Sequence, residues 1–299
     1  MVFLESYLSF FMKPTLVDSK LKHVLWYGWF SIVGLIITYH GLPSPILTLK
    51  TLAVTVSLAT FVYLLNDAMD AEMDQINPIK SGRPIPSGLA TKNQALQLSL
   101  LGGVIGISIA FTINVYVLIF SLSYMILGFM YSMPPFNLKR RLLMKEITLS
   151  LGLFLATGIG AVASGSISPS IFYVSLYFAL FIMTLVPTFY DSLDAEEDKR
   201  YGCKTIAILL KQSRRLELST FGLIVMMIAT PLTYKYFGFN LILPIVVCAA
   251  CLLFLRFIYP MLLDEKNVEL QKIVKGSKLI QLYLLVLQFS FVLGSLKIL

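Results

Sequence analysis

The chain has 299 residues, 57% of them hydrophobic and 13% charged, with a mean hydropathy of +0.81 and a formal net charge of +8. A soluble globular domain carries about 25% charged residues, so this composition excludes a water-soluble enzyme. Membrane lipid, and not nucleic acid, is the expected surrounding partner of such a chain.

The first residues, MVFLESYLSFFMKP, lack a basic start and a small-residue cleavage site. They read as an interfacial helix leading into the first span, not as a cleaved signal peptide. Nine apolar runs follow, at 24–40, 46–65, 95–113, 115–133, 147–163, 171–189, 221–237, 241–258 and 280–297. Each approaches or exceeds the roughly 18 residues of a membrane crossing. The expected fold is therefore all-α: a polytopic bundle of nine transmembrane helices forming one domain over residues 1–299. Of the 24 Lys and Arg, all but Lys50, Lys235 and Lys297 fall on the N-terminal segment or toward the links between spans 2–3, 4–5, 6–7 and 8–9. The positive-inside rule makes that side cytoplasmic. The expectation is a multi-pass protein of the cell membrane, with its N-terminus and its long polar loops in the cytoplasm.

The acids are concentrated at two places. The second span runs into Asn66-Asp67-x-x-Asp70-x-x-x-Asp74, and the sixth into Tyr190-Asp191-x-x-Asp194-x-x-x-Asp198. Both copies hold an Asp-Ala-Glu-x-Asp core, which points to two related halves. Spacings of three and four put the aspartates of each copy on one helical face. Stacked like charges repel, so protonation, nearby bases or bound cations must offset them. Carboxylate oxygens suit Mg²⁺, which commonly shares its shell with substrate phosphates. Solvated helix ends are the plainer reading of such clusters. The repetition, the shared side and the scarcity of acid elsewhere weigh against it. Glu72 and Glu196 lie off the stripes and should face solvent.

Bases follow each cluster: Lys80 and Arg83, then Lys139, Arg140, Arg141 and Lys145 between spans 4 and 5, then Lys199, Arg200 and Lys204. Anchoring to anionic headgroups accounts for most of them. A few stand where they could neutralise a departing diphosphate. Arg83 is the first choice, because Gly82, Pro84 and Pro86 would fix its loop; Lys139 and Lys204 come next. Cys248 and Cys251, a lone C-x-x-C in an apolar run, read as packing residues. His23 and His40 flank the first span and read as interfacial.

The motif N-D-x-x-D-x-x-x-D, the following G-R-P-I-P-S-G at 82–88 and the later D-x-x-D-x-x-x-D together resemble the UbiA superfamily of intramembrane prenyltransferases. Tyr131-Ser132-Met133-Pro134-Pro135, with Leu138-Lys139-Arg140 after it, is similar to the family's end of span 4. The resemblance implies nine helices around a central cavity open sideways to lipid. It also implies Mg²⁺-dependent transfer, with two ions, of a polyprenyl group such as geranylgeranyl from its diphosphate to a lipophilic or aromatic acceptor. By motif position Asn66, Asp70, Asp74, Asp191, Asp194 and Asp198 would be the metal and diphosphate set, with Asp67 as a further metal candidate. Arg83, Lys139 and Lys204 would hold diphosphate, and Tyr131 would lie near the reacting carbon. Lys13-Pro14 stands where many members have Arg-Pro, and lysine lacks the bidentate fork.

Departure of an allylic diphosphate leaves a delocalised carbocation. Metal would stabilise the leaving group, an aromatic face such as that of Tyr131 the cation, and apolar walls would keep water away. Capture of the cation by water or by the isoprenoid's own double bond would give hydrolysis or cyclisation instead. The acceptor stays open among aromatic quinone precursors, tetrapyrrole propionates and glycerol-phosphate ethers. The Tyr-Ser-x-Pro-Pro segment looks somewhat closer to the chlorophyll-synthase branch. A cation-coupled transporter is the alternative class, since repeated halves with acids in helices also fit it.

Overall fold

The computed structural model describes residues 14–76, 80–264 and 268–297, so Lys13 and the proposed interfacial helix before it lie outside the described residues. Among the described residues there are nine helical segments long and apolar enough to cross a membrane, and no strand. The first four are α1 (Pro14–Tyr39), α2 (Pro45–Ile76), α3 (Lys92–Phe111) and α4 (Val115–Ser132). They are followed by α5 (Met144–Val162) and by a sixth span, Pro169–Phe189, composed of α6 (Pro169–Leu180), a π-helical turn (Phe181–Leu185) and α7 (Val186–Phe189). Two short helices, α8 (Asp191–Arg200) and α9 (Ile206–Leu209), lead to the last three spans, α10 (Gln212–Thr233), α11 (Ile242–Leu263) and α12 (Leu270–Ser295).

Helix α2 corrects the expected boundary of span 2. No glycine or proline interrupts it after Pro45, so it runs unbroken for 32 residues, about 48 Å at 1.5 Å per residue. That exceeds the roughly 30 Å hydrocarbon core, and its last turns carry the first acidic motif toward the aqueous phase. The sixth span behaves differently. Pro187 has no N–H to give the preceding turn, and the helix widens into the π turn just before it. Hydroxyls take up the carbonyls there: Ser219 Oγ donates to Thr184 C=O at 2.8 Å, and Ser192 Oγ to Thr188 C=O at 2.6 Å. The buried Arg215 donates to the carbonyls of Pro187 at 3.3 Å and Ala207 at 2.9 Å, tying the broken span to α9.

Close helix approach in lipid relies on small residues, and the packing follows that rule. A methyl group on Gly34 or Gly160 would run into the backbone carbonyls of Thr157 and Ser31, which joins α1 to α5. Gly102 and Gly106 do the same for α3 on α2, where Ser99 Oγ also donates to Phe61 C=O at 2.7 Å. Large apolar side chains such as Leu100, Phe111, Leu232 and Leu253 stay exposed on the outside of the bundle, as lipid-facing residues should. The two cysteines of the C-x-x-C are free packing residues, Cys251 lying 3.2 Å from the Tyr283 hydroxyl.

Candidate active site

The two acidic motifs come to the same end of the bundle. The Tyr201 hydroxyl, just beyond the second motif, donates to the carbonyl of Met73 inside the first at 3.2 Å. Lys80, from the loop after α2, reaches across to Glu197 at 2.7 Å and Asp194 at 3.6 Å. Around this junction each aspartate of the two ladders meets a base.

On α2 the motif divides between two partners. Asp70 pairs with Lys139, whose Nζ also donates to Asn66 Oδ1 at 3.2 Å, and Ser132 Oγ donates to the same oxygen at 3.1 Å. Lys139 is buried on a 3₁₀ turn (Leu138–Arg140) that follows Asn137 in a left-handed conformation. Asp74 accepts from Arg83 Nη1 at 2.6 Å, and Asp67 lies 3.9 Å from the same nitrogen. The Arg83 loop is rigid for the reason its prolines suggest. Its backbone closes on itself through Arg83 N–H to Lys80 C=O and Ala90 N–H to Pro84 C=O, both 2.9 Å, and Gly88 turns it with φ +76°.

On the second motif Lys145 lies 3.1 Å from Asp191 and 3.3 Å from Asp198. Burial pushes the Asp191 carboxyl above the usual carboxylate range, although Lys145 beside it pulls the other way. Burial alone would lower the Lys80 ammonium, yet the hydrogen bond it donates to Glu197 and the charges of Asp194 and Glu197 outweigh it, so Lys80 is held charged. Glu146, next to Lys145, is buried and accepts from the Ile206 N–H at 2.8 Å, which fixes the loop behind the second motif. Glu72 and Glu196 are exposed, as their place off the stripes implied.

A cavity of about 160 Å³ adjoins the polar junction through Asn66, whose side chain accepts from Lys139. Its walls come from α1, α2, α4 and α5: Asn66 and Tyr131 at the polar end, then Tyr63, Tyr124, Tyr27 and Gly152 with apolar neighbours. Tyr27 meets Tyr63 and Tyr124 edge-on, with ring centroids 6.0 and 6.1 Å away.

Sequence reasoning and structure part company over three residues. Lys204 is exposed, and among the described residues its side chain makes no ion pair; its backbone N–H donates to Arg140 C=O at 3.2 Å. Lys145, grouped in the sequence with the bases between spans 4 and 5, is the lysine that pairs with Asp191 and Asp198 of the second motif. Lys145 stands two residues before the apolar run at 147–163, and the helix extends back over it, which puts the lysine where it needs a partner. Glu197 has no counterpart in the first copy, which has Met73 at the equivalent place; it sits three residues from Asp194 and shares Lys80.

Among the described residues no three His, Cys, Asp or Glu side chains stand together as a ready-made metal cage. Mg²⁺ does not require one, since it is commonly held by one or two carboxylates with substrate phosphates and water. The donor set fits that habit: it is all hard oxygen, and Asp191 Oδ2 is buried without a hydrogen bond.

The sequence profile described as the UbiA prenyltransferase family matches residues 27–280. Digeranylgeranylglyceryl phosphate synthase of Sulfolobus acidocaldarius is 28% identical over 269 residues, covering 90% of this chain and 92% of that protein. The enzyme of the same name from Thermococcus sibiricus is 30% identical over 275 residues, with 90% and 92% covered. A solved structure of a digeranylgeranylglyceryl phosphate synthase superposes with a TM-score of 0.76 at 22% identity, covering 100% of both chains. A UbiA homolog from Archaeoglobus fulgidus, bound to GPP and Mg²⁺, gives 0.67 at 18% identity, with 91% and 97% covered. These likenesses set aside the cation-coupled transporter. With nine membrane-crossing helices, two converging acidic motifs and a family profile that spans most of its length, the chain belongs to the UbiA prenyltransferase family and is a multi-pass membrane prenyltransferase.

Proposed function

We propose that the protein transfers a geranylgeranyl group from geranylgeranyl diphosphate, with Mg²⁺, to a glycerol-phosphate ether that already bears one such group. One observation carries the reading. Carboxylates suited to metal are each paired with a base suited to phosphate, and Asn66 joins this cluster to a largely apolar cavity. Two things support the details. The relatives named above take their name from a product with two geranylgeranyl groups on glyceryl phosphate, which favours an ether acceptor over the tetrapyrrole suggested by Tyr-Ser-x-Pro-Pro. The Archaeoglobus homolog binds a prenyl diphosphate together with Mg²⁺.

In this reading the whole chain, 1–299, works as one domain. Asp70, Asp74, Asp194 and Asp198, with Asn66, Asp67 and Asp191, would hold two Mg²⁺ ions. When bound, Mg²⁺ supplies Lewis-acid neutralisation of the leaving diphosphate. Arg83 and Lys139 would donate to the diphosphate oxygens, Arg83 through its fork and Lys139 as a point charge. Lys145 would add charge from the second-motif side, with Lys204 in an outer role. Tyr131 would turn its ring to the allylic cation, and the wall of Tyr63, Tyr124 and Tyr27 would exclude the water that could trap it. The bases lie on the long loops, which the positive-inside rule assigns to the cytoplasm together with the N-terminus.

The test is incubation of purified protein, Mg²⁺ and labelled geranylgeranyl diphosphate with a geranylgeranylglyceryl phosphate, an aromatic quinone precursor and a tetrapyrrole propionate, followed by mass analysis. The expected product is the doubly prenylated glyceryl phosphate. Free geranylgeraniol or a cyclised hydrocarbon as the sole product, with every acceptor unchanged, would overturn transfer.

A further inference from the structure

Helix α5 carries three buried glycines beyond its first turns, and they do different things. A Cβ at Gly158 would press into the ring of Phe120, and one at Gly160 into the backbone of Ser31, so these two glycines exist for helix contact. A Cβ at Gly152 would meet nothing within 4 Å, although the residue is buried. Gly152 therefore serves no close approach between helices. It lines the cavity on the same face as Thr148 and Leu149, and its missing side chain faces open space inside it.

Depth along the helices locates that space. Lys145 pairs with Asp191 at the polar junction, and Gly152 lies seven residues further into the membrane, about 10 Å away along the axis. Tyr124 lies the same number of residues from Tyr131 on α4, so Gly152 and Tyr124 stand at similar depth. Between that level and the polar end the cavity is lined by Tyr27, Tyr63 and Tyr124, whose rings meet edge-on. Gly128 also lines it, but a Cβ there would meet Val62, so that position is closed by a neighbour. At about 160 Å³ the cavity is smaller than the roughly 300–1,000 Å³ of pockets that enclose a drug-sized ligand. A twenty-carbon chain must pass beyond it.

We propose that Gly152 determines prenyl chain length: the gap left by its absent side chain is where a chain too long for the cavity passes the tyrosines that line it. This rests on the reading of the cavity as the prenyl site. A side chain at 152 would fill the gap and stop longer donors while leaving the polar junction untouched.

The experiment compares kcat/KM for geranyl and geranylgeranyl diphosphate in the wild type, Gly152→Ala, Gly152→Leu and the packing control Gly158→Ala. The geranylgeranyl-to-geranyl ratio should fall in Gly152→Ala and fall further, about tenfold or more, in Gly152→Leu, the discrimination expected for added methylenes in an apolar pocket. Gly158→Ala should change thermal stability without moving the ratio. If Gly152→Leu loses both donors, the alanine variant decides: a lowered ratio supports the proposal. An unchanged ratio in the alanine variant, or in a leucine variant that still turns over, overturns it. A wild type that uses neither donor would instead refute the prenyl-site reading itself.

Discussion

The same acid spacing is carried by two very different backbones. The first ladder sits on α2, an uninterrupted helix packed into the bundle, and its aspartate side chains are only 3–11% exposed. The second follows a π turn, Pro187 and a break at Tyr190, and its exposures run from 6% at Asp191 to 42% at Asp194. Each ladder recruits bases from elsewhere: Lys139 from the 4–5 loop for the first, Lys145 from α5 for the second, and Lys80 crossing from one half to the other. Duplication supplied the carboxylates twice, but the two copies are supported by unlike surroundings. The first is positioned by helix packing in the membrane. The second depends on polar contacts at the membrane surface.

The sharpest way to break that contrast is to remove one carboxylate from each ladder. Asp70→Asn and Asp194→Asn should each lower transfer by about 10²–10³-fold, as loss of a group that stabilises developing charge does, while the protein stays folded in detergent. Asp70→Asn should be the more severe, because Asp194 is half in solvent and its base is 3.6 Å away. Equal losses would make the ladders equivalent; full activity in both would refute the site. Lys145→Gln should come next. It leaves Asp191 and Asp198 without their shared base, and transfer should fall about 10²-fold with a raised KM for the diphosphate.

Arg215→Lys tests the support of the second ladder. An ammonium cannot span the carbonyls of Pro187 and Ala207 as the guanidinium does. Leaving those groups poorly satisfied should cost about 1–3 kcal/mol, read as a lower melting temperature in detergent. The matching change behind the first ladder, Ser99→Ala, removes a single hydrogen bond to Phe61 and should cost about 1 kcal/mol. A larger loss from Ser99→Ala would reverse the assignment of which ladder depends on polar support.

Much of this was legible before any coordinates. Hydropathy and the charge separation located all nine spans, because a bilayer imposes length and polarity directly on the sequence. The ladders and Arg83 were legible for a similar reason: scarce charges in an apolar chain must be explained. That α2 outlasts its apolar run was legible in the three- and four-residue spacing of Asp67, Asp70 and Asp74, because the acids that end the hydropathy signal do not end a helix; its last turn to Ile76 was not. Lys145, Glu197 and Arg215 were hidden because each acts on residues distant in the chain, and spacing along a helix does not say which distant partner its side chain meets. The π turn left one trace, Pro187 inside an apolar run, which marks a disturbed helix without saying of which kind.

The smallest effect belongs to Lys204, and it discriminates between two views of the second ladder. By sequence it mirrors Arg83, a base a few residues after an acidic motif. In the structure it is exposed, and the contact that fixes it is its backbone N–H to Arg140, which glutamine would keep. A solvent-facing charge is screened within about 8 Å at physiological salt, so Lys204→Gln should leave kcat and the diphosphate KM within about twofold of wild type. Lys80→Gln, measured beside it, should raise the KM several-fold more, because Lys80 is held charged between Asp194 and Glu197. If Lys204→Gln instead raised the KM tenfold or more, Lys204 would have to turn inward when diphosphate arrives. The second ladder would then have its own counterpart of Arg83, and the contrast between the two ladders would not extend to their bases.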